Sequence, residues 1–217
     1  MKITIDQSLM KKTPNFKVGV MTCDVVIESA TKVDELVHRW EEEIHQNIDI
    51  KNVVNLDVII DGRNAYKTYG KDPSRYRLAV ESLYRRLSKG NQLYRINNVV
   101  DLGNIISLKT RKSVAVLDYK KIKGDVTIRL GTNKDEYHGI GRGRLNIENI
   151  PLYEDQTGPF GSVTSDTERT MITKDTKKIL LFLISFSGDA DLEKEMGYAK
   201  NLYKTYAKGT NFNEYIL

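Results

Sequence analysis

The residue types that chemistry needs are concentrated in Gly158-Pro159-Phe160-Gly161-Ser162-Val163-Thr164-Ser165-Asp166-Thr167-Glu168-Arg169-Thr170. Small and hydroxylated side chains let a ligand approach the backbone, and Asp166 and Arg169 either pair with each other or grip a polar substrate. By composition the stretch reads as a structured loop as readily as a site. A second run, Gly139-Ile140-Gly141-Arg142-Gly143-Arg144, offers backbone N–H groups to a phosphate. Nothing after it reads as the helix that a dinucleotide fingerprint requires, so a hairpin loop with two exposed arginines and a weak phosphate contact both stand. The histidines His38, His45 and His138 form no His-x-x-x-His pair, and the lone cysteine supplies no thiolate partner, so neither a metal nor another cofactor is expected. No Gly-x-Ser-x-Gly elbow occurs. Cys23 lies in the apolar run Val20 to Ile27 and reads as a small core residue rather than a nucleophile.

The chain that must position these groups has 217 residues, enough for one large domain with a continuous core. Hydrophobic residues make up 40% and charged residues 29%, an ordinary globular balance. No apolar run is long enough to span a bilayer, and the amino terminus Met1-Lys2-Ile3-Thr4-Ile5-Asp6 lacks the pattern of a signal peptide. With a single cysteine, these features point to a cytoplasmic protein without membrane contact. The formal charge of +5, from 34 Lys and Arg against 29 acids, favours a polyanionic partner without demonstrating one. The cations are dispersed, so any such contact is a face of the folded domain rather than a tail.

Val, Ile and Thr predict strands at residues 2–6 and 16–28. A helix follows from a Ser29 or Thr31 cap, with Val33, Leu36, Val37, Trp40, Ile44 and Ile48 on the core face and Glu41, Glu42 and Glu43 largely outside it. Asp72-Pro73-Ser74 signals a second helix, packed through Tyr76, Val80, Leu83, Tyr84 and Leu87 and ended by Lys89-Gly90. Its other face carries Arg75, Arg85, Arg86 and Glu81, either simply solvated or bound to phosphate. A third helix is expected over 97–108, then short strands at 113–117, 124–130 and 150–153. The run 178–186 is apolar on both faces and should be central in a sheet, and a last helix opens after Gly188-Asp189. The elements mix without βαβ alternation, which predicts an α+β fold.

Several of these segments, in order, resemble the B3/4 editing module of the phenylalanyl-tRNA synthetase β subunit. Pro73-Ser74-Arg75-Tyr76-Arg77 with Glu81-Ser82-Leu83-Tyr84-Arg85-Arg86 resembles the family's opening helix. Asn97-Asn98-Val99-Val100-Asp101-Leu102-Gly103-Asn104 resembles its Asn-x-Val-Val-Asp-x-Thr-Asn segment, and Leu117-Asp118-Tyr119-Lys120-Lys121-Ile122-Lys123-Gly124 its Phe-Asp-x-x-Lys-x-x-Gly. Lys174-Asp175-Thr176 resembles the stretch before the family's last strand. The likeness runs from Asp72 to Phe186, about half the chain. It implies a mixed sheet with packed helices, residues 71–217 as the editing-like domain, and residues 1–70 as an extension packed on it in one structural unit.

In that family the pocket hydrolyses tyrosine wrongly esterified to the phenylalanine tRNA, without a metal. The resemblance places Gly103 and Asn104 on one wall of such a pocket and Ser162 and Val163 on another. Ala115 stands where the family has a histidine, and Phe182 where it has the glutamate that reads the tyrosine hydroxyl. A phenyl ring accepts no hydrogen bond, so selection of tyrosine is not expected, and a different or more apolar side chain fits better. The implied activity is trans-acting deacylation of mischarged tRNA. Asn104 would orient water or ester, Ser162 would stabilise the oxyanion, and Asp166 with Arg169 would hold the amino group or terminal adenosine. Gly103, Ala115, Val163, Ser165 and Phe182 would complete the substrate site, and Arg75, Arg85, Arg86, Arg142 and Arg144 would meet the tRNA rather than DNA. A silent module that binds a free amino acid or small ligand, or an RNA-binding adaptor, is the alternative.

Overall fold

The computed structural model describes residues 1–217. Strand β1 (Ile3–Ile5) leads through helix α1 (Gln7–Lys12), capped by the Asp6 carboxylate on the Ser8 N–H, into β2 (Lys17–Asp24). Four helices follow, α2 (Asp34–Asn47), α3 (Asp57–Thr68), α4 (Ala79–Ser88) and α5 (Asn98–Thr110). The chain then forms β3 (Ser113–Asp118), β4 (Val126–Leu130), the short pair β5 (His138–Gly139) and β6 (Gly143–Arg144), β7 (Pro151–Asp155) and β8 (Gly158–Ser162). It ends with β9 (Lys178–Ser185), α6 (Leu192–Tyr206) and β10 (Thr210–Ile216). The architecture is α+β, as expected.

One sheet has the order β1-β4-β7-β8, with β1 parallel to β4, and the other the antiparallel order β10-β2-β9-β3. Strand β9 lies between β2 and β3 and is buried at every residue after Lys178, which is what its unbroken apolar run requires. Side chains alternate across a strand, so its two faces meet different partners. On one face, Leu183 sits beside Gly19 of β2 and Val114 of β3, and a Cβ at Gly19 would lie 2.7 Å from the Met196 sulfur of α6. On the other, Phe182 meets Tyr153 of β7 with ring centroids 4.8 Å apart. The second sheet is therefore sandwiched between helices and the first sheet. Complete burial of a ring such as Phe182 contributes on the order of 1.5–3 kcal/mol.

The N-terminal strands are woven into both sheets, since β1 pairs with β4 and β2 with β9. Cys23 is fully buried on β2, and burial pushes its thiol up to about 12, so no thiolate forms near neutral pH.

The structure departs from the sequence expectations in four places. The second helix begins at Ala79 rather than at Asp72. The Asp72 carboxylate accepts from the Ser74 N–H in a separate turn, and the Ala79 N–H is tied to the Val163 carbonyl at 2.9 Å. Trp40 is only half-buried, whereas Glu41 is buried because Arg95 and the Leu93 N–H both bond to its carboxylate. Helix α3 occupies a stretch that periodicity left unassigned. Strand β10, a largely exposed edge, shows too little apolar alternation to be read locally.

Asn98, fully buried at the start of α5, joins three elements. Its side chain accepts from the Glu28 N–H at 2.8 Å and donates to the carbonyls of Val26 and Tyr206, each at 3.0 Å. Asn98→Ala leaves three partly buried backbone groups without their side-chain partner and is predicted to lower unfolding free energy by on the order of 2 kcal/mol, measurable by urea denaturation.

Candidate functional site

The glycine- and hydroxyl-rich stretch is strand β8 followed by a turn that its own hydroxyls close. Ser162 Oγ donates to the Ser165 carbonyl at 2.8 Å and accepts from the N–H groups of Ser165 and Thr164. The Tyr137 hydroxyl donates to the same carbonyl. Thr167 and Thr170 both donate to the Phe160 carbonyl. The Ser162 proton is thus engaged inside the turn and is not directed at a ligand.

Asp166 and Arg169 do not pair. Arg169 forks onto Asp155 at 2.9 and 3.0 Å, bonds the Gly158 carbonyl at 3.0 Å and covers the Phe160 ring. Burial raises Asp155, but the Arg169 guanidinium and the N–H groups of Lys123 and Thr157 outweigh it and hold the carboxyl low. Asp166 has the opposite fate. Its Oδ1 is buried with no hydrogen-bond partner, and a Cβ at Gly161 would lie 2.7 Å from that oxygen. Only glycine leaves room for the carboxylate there.

Val163 is buried, and its carbonyl accepts from the Ala79 N–H and from Ser113 Oγ. Ala115 and Phe182 face each other across β3 and β9, both buried, on the side of the sheet that meets Tyr153. Gly103 is across the sheet. A Cβ there would lie 2.5 Å from Val116 Cγ2, and Val116 leaves β3 on the face opposite Ala115. Asn104 is half-buried beside it on α5. The expected two-walled pocket is therefore not assembled: Ser162, Val163, Ser165 and Asp166 lie toward the Ala115–Phe182 side, while Gly103 packs on the helical side.

A cavity of about 520 Å³ opens instead at the β5–β6 hairpin. Glu136, His138, Thr167, Glu168 and Arg169 line it with the backbone of Gly139, Gly141 and Gly143, and Pro159 is its one apolar side chain. Gly141 and Gly143 have φ of +64° and +66°, in the left-handed region that glycine adopts freely, and β5 and β6 pair His138 with Arg144. The Gly141 N–H donates to no group of the protein. The hairpin is tied to the neighbouring turn through the Ile140 N–H, which donates to the Asp166 carbonyl at 2.9 Å.

Beside it is a cleft of about 350 Å³ lined by Arg77, Arg85, Arg86, Lys89 and Arg142 with Ser82 and Asn91, and no carboxylate. It gathers three of the arginines singled out from sequence, Arg85 and Arg86 from α4 and Arg142 from the hairpin. Arg75 is exposed in the turn before α4, and Arg144 lines a different depression with Asp135 and Glu148. The sequence assigned no role to His138, Glu136, Glu168, Arg77 and Lys89, which line the cavity and the cleft. Lys89 carried a usable signal, four residues after Arg85 on one helical face. His138 carried only its position next to the glycine run.

A model of the B3/4 domain matches residues 61–216. Among solved structures, the chain is similar to an N-terminal fragment of the phenylalanyl-tRNA synthetase β subunit from Pyrococcus horikoshii. The identity is 14% and the TM-score 0.49, over 99% of this chain and 53% of that one, so this chain spans about half the fragment's length. No curated protein matches.

Burial raises the Asp166 carboxyl to about 7, well above the ordinary carboxylate value of roughly 4. Below about pH 4 the folded and unfolded states both hold the proton. Between about pH 4 and 7 the folded state keeps a proton that the unfolded chain has released, so stability is fully present at the acid end and falls as pH rises through this window. Asp166→Asn is predicted to flatten that slope and to raise stability at pH 8 by on the order of 1–3 kcal/mol, read by chemical denaturation across pH 4–8.

Proposed function

The chain belongs to the B3/4 domain family, and from that premise we propose that it is a trans-acting aminoacyl-tRNA deacylase. One observation carries the reading. A three-residue hairpin loop contributes Gly141 to the 520 Å³ cavity and its neighbour Arg142 to the basic cleft. A surface suited to phosphates thereby runs up to a cavity large enough for an aminoacylated nucleotide end.

The chemistry asked of the cavity is modest, because an aminoacyl ester is already activated. His138 accepts a proton from water as the oxygen adds to the ester carbonyl, and the Gly141 N–H stabilises the resulting oxyanion. Collapse of the tetrahedral intermediate releases the ribose oxygen, which takes the proton back from His138. Glu136 and Glu168 suit the cationic α-amino group. Ser162 and Asp166 act through the turn that supports the hairpin, and the Asp155-bound Arg169 forms a fixed wall. A lining with one apolar side chain suits a small or polar amino acid. It is less suited to the more apolar side chain that Phe182 raised from sequence, because Phe182 is packed against Tyr153 in the core and does not line the cavity.

A second reading, a silent module that binds a free amino acid, has its own support in the engaged Ser162 hydroxyl and the fully packed Ala115–Phe182 region. It predicts saturable thermal stabilisation by an amino acid with no ester hydrolysis.

Across a panel of mischarged tRNAs, the protein is expected to accelerate deacylation of at least one. His138→Ala should slow that reaction roughly 100-fold, whereas Asn104→Ala should leave it unchanged. Rates equal to spontaneous hydrolysis for every charged tRNA would sink the enzyme reading.

A further inference from the structure

The segment that joins α4 to α5 is neither helix nor strand around residues 92–96, and its side chains alternate between the interior and solvent. Two point inward. Leu93 is buried and its N–H bonds the Glu41 carboxylate at 2.7 Å, while Arg95 forks onto Glu41 and reaches Asp34 at 2.6 Å. Two point outward, Tyr94 at 70% and Ile96 at 58% exposure, the highest values among the large apolar side chains. The inward anchors hold this segment firmly, so the exposed ring belongs to a fixed backbone rather than to slack chain.

The guanidinium of Arg86 covers one face of the Tyr94 ring, its Cζ 4.1 Å from the centroid, and its Nε is pinned to the Gln92 carbonyl at 2.5 Å. With one face covered and most of the residue in solvent, the other face is free. Arg86 also borders the cleft formed with Arg77, Arg85, Lys89 and Arg142. An oriented aromatic face therefore stands at the margin of a cationic cleft, and these two features together serve single-stranded nucleic acid: cations track the phosphates and the ring receives a base. Inside a double helix both faces of each base are already stacked on neighbouring pairs.

We propose that Tyr94, backed by Arg86, is a stacking platform for an unpaired nucleotide of an RNA strand whose phosphates occupy the basic cleft. The inference rests on the reading of that cleft as the tRNA surface, and adds that recognition includes a base outside the duplex.

Fluorescence anisotropy with two RNA hairpins, one blunt and one with about four unpaired 3′ nucleotides, tests it. Tyr94→Ala should weaken binding of the overhang RNA roughly tenfold and leave the blunt RNA unchanged, and Tyr94→Phe should retain wild-type binding. The double change Arg85→Ala with Lys89→Ala should weaken both RNAs and shallow the salt dependence. An unchanged thermal midpoint for Tyr94→Ala confirms that the ring does not support the fold. Equal binding of the overhang RNA by Tyr94→Ala and wild type, or equal losses on both RNAs, would overturn the platform while the cleft reading stands. Preferential binding of a glutamate-rich peptide over both RNAs, or no RNA binding at low salt, would overturn the cleft reading and the platform with it.

Discussion

Strand β9 has no free face, and most of the molecule is arranged by that fact. Its hydrogen bonds are shared between β2 and β3, so both of its surfaces must be covered by separate layers. The helices α5 and α6 cover one, against Leu183, Val114 and Val116, and the sheet that contains β7 and β8 covers the other through Phe182 and Tyr153. Residues that the family resemblance assigns to one pocket are thereby sent to different territories. Gly103 packs on the helical side, and the Ser162 turn belongs to the other. The candidate site lies on the Ser162 side, where the turn after β8 of the first sheet meets the short β5–β6 hairpin.

The distribution of charge repeats this division. Arginines with a structural task are paired in full: Arg95 with Asp34 and Glu41, Arg129 with Asp135 and Glu154, Arg169 with Asp155, and Arg63 with Glu81. Arg95, Arg129 and Arg169 each hold two segments together through a fork that lysine cannot reproduce, while Arg63 reaches both Glu81 oxygens through one nitrogen. Arg85, Arg86, Lys89 and Arg142 meet no carboxylate within 4.0 Å, and they share one cleft. Four unpaired cations held near one another repel, and that cost is small only when solvent or an anionic partner screens it. A net charge of +5 spread evenly would say little; a cleft without acids gives it a direction.

The turn after β8 shows how the same residue types serve structure and chemistry at once. Its hydroxyls are consumed by local carbonyls, which makes the turn rigid and removes Ser162 as a free donor. What remains uncompensated is the Asp166 oxygen behind Gly161, and its backbone carbonyl anchors the hairpin that carries Gly141 and Arg142. A rigid turn with one unpartnered buried oxygen therefore supports the wall of the cavity.

Much of this was legible in the residues themselves. The apolar run of β9 predicted a central strand, Asn97 marked the start of α5 and caps it through the Val100 N–H, and the glycine run with two arginines predicted a hairpin. The ordered motifs around Asn97–Asn104 and Leu117–Gly124 pointed to the B3/4 family. These signals are local, because a cap, a left-handed turn or a two-sided apolar strand is dictated by a few consecutive side chains. Tertiary structure alone decided which faces met. Glu41 is buried because Arg95 arrives from 54 residues away, and β10 is a strand because β2 offers it an edge. Arg142 joins Arg85 because the hairpin folds beside α4. Alternation tells which side chains share a face, but the partner of that face is set by packing between distant segments, and that is where this protein's cavity and its cationic cleft come into being.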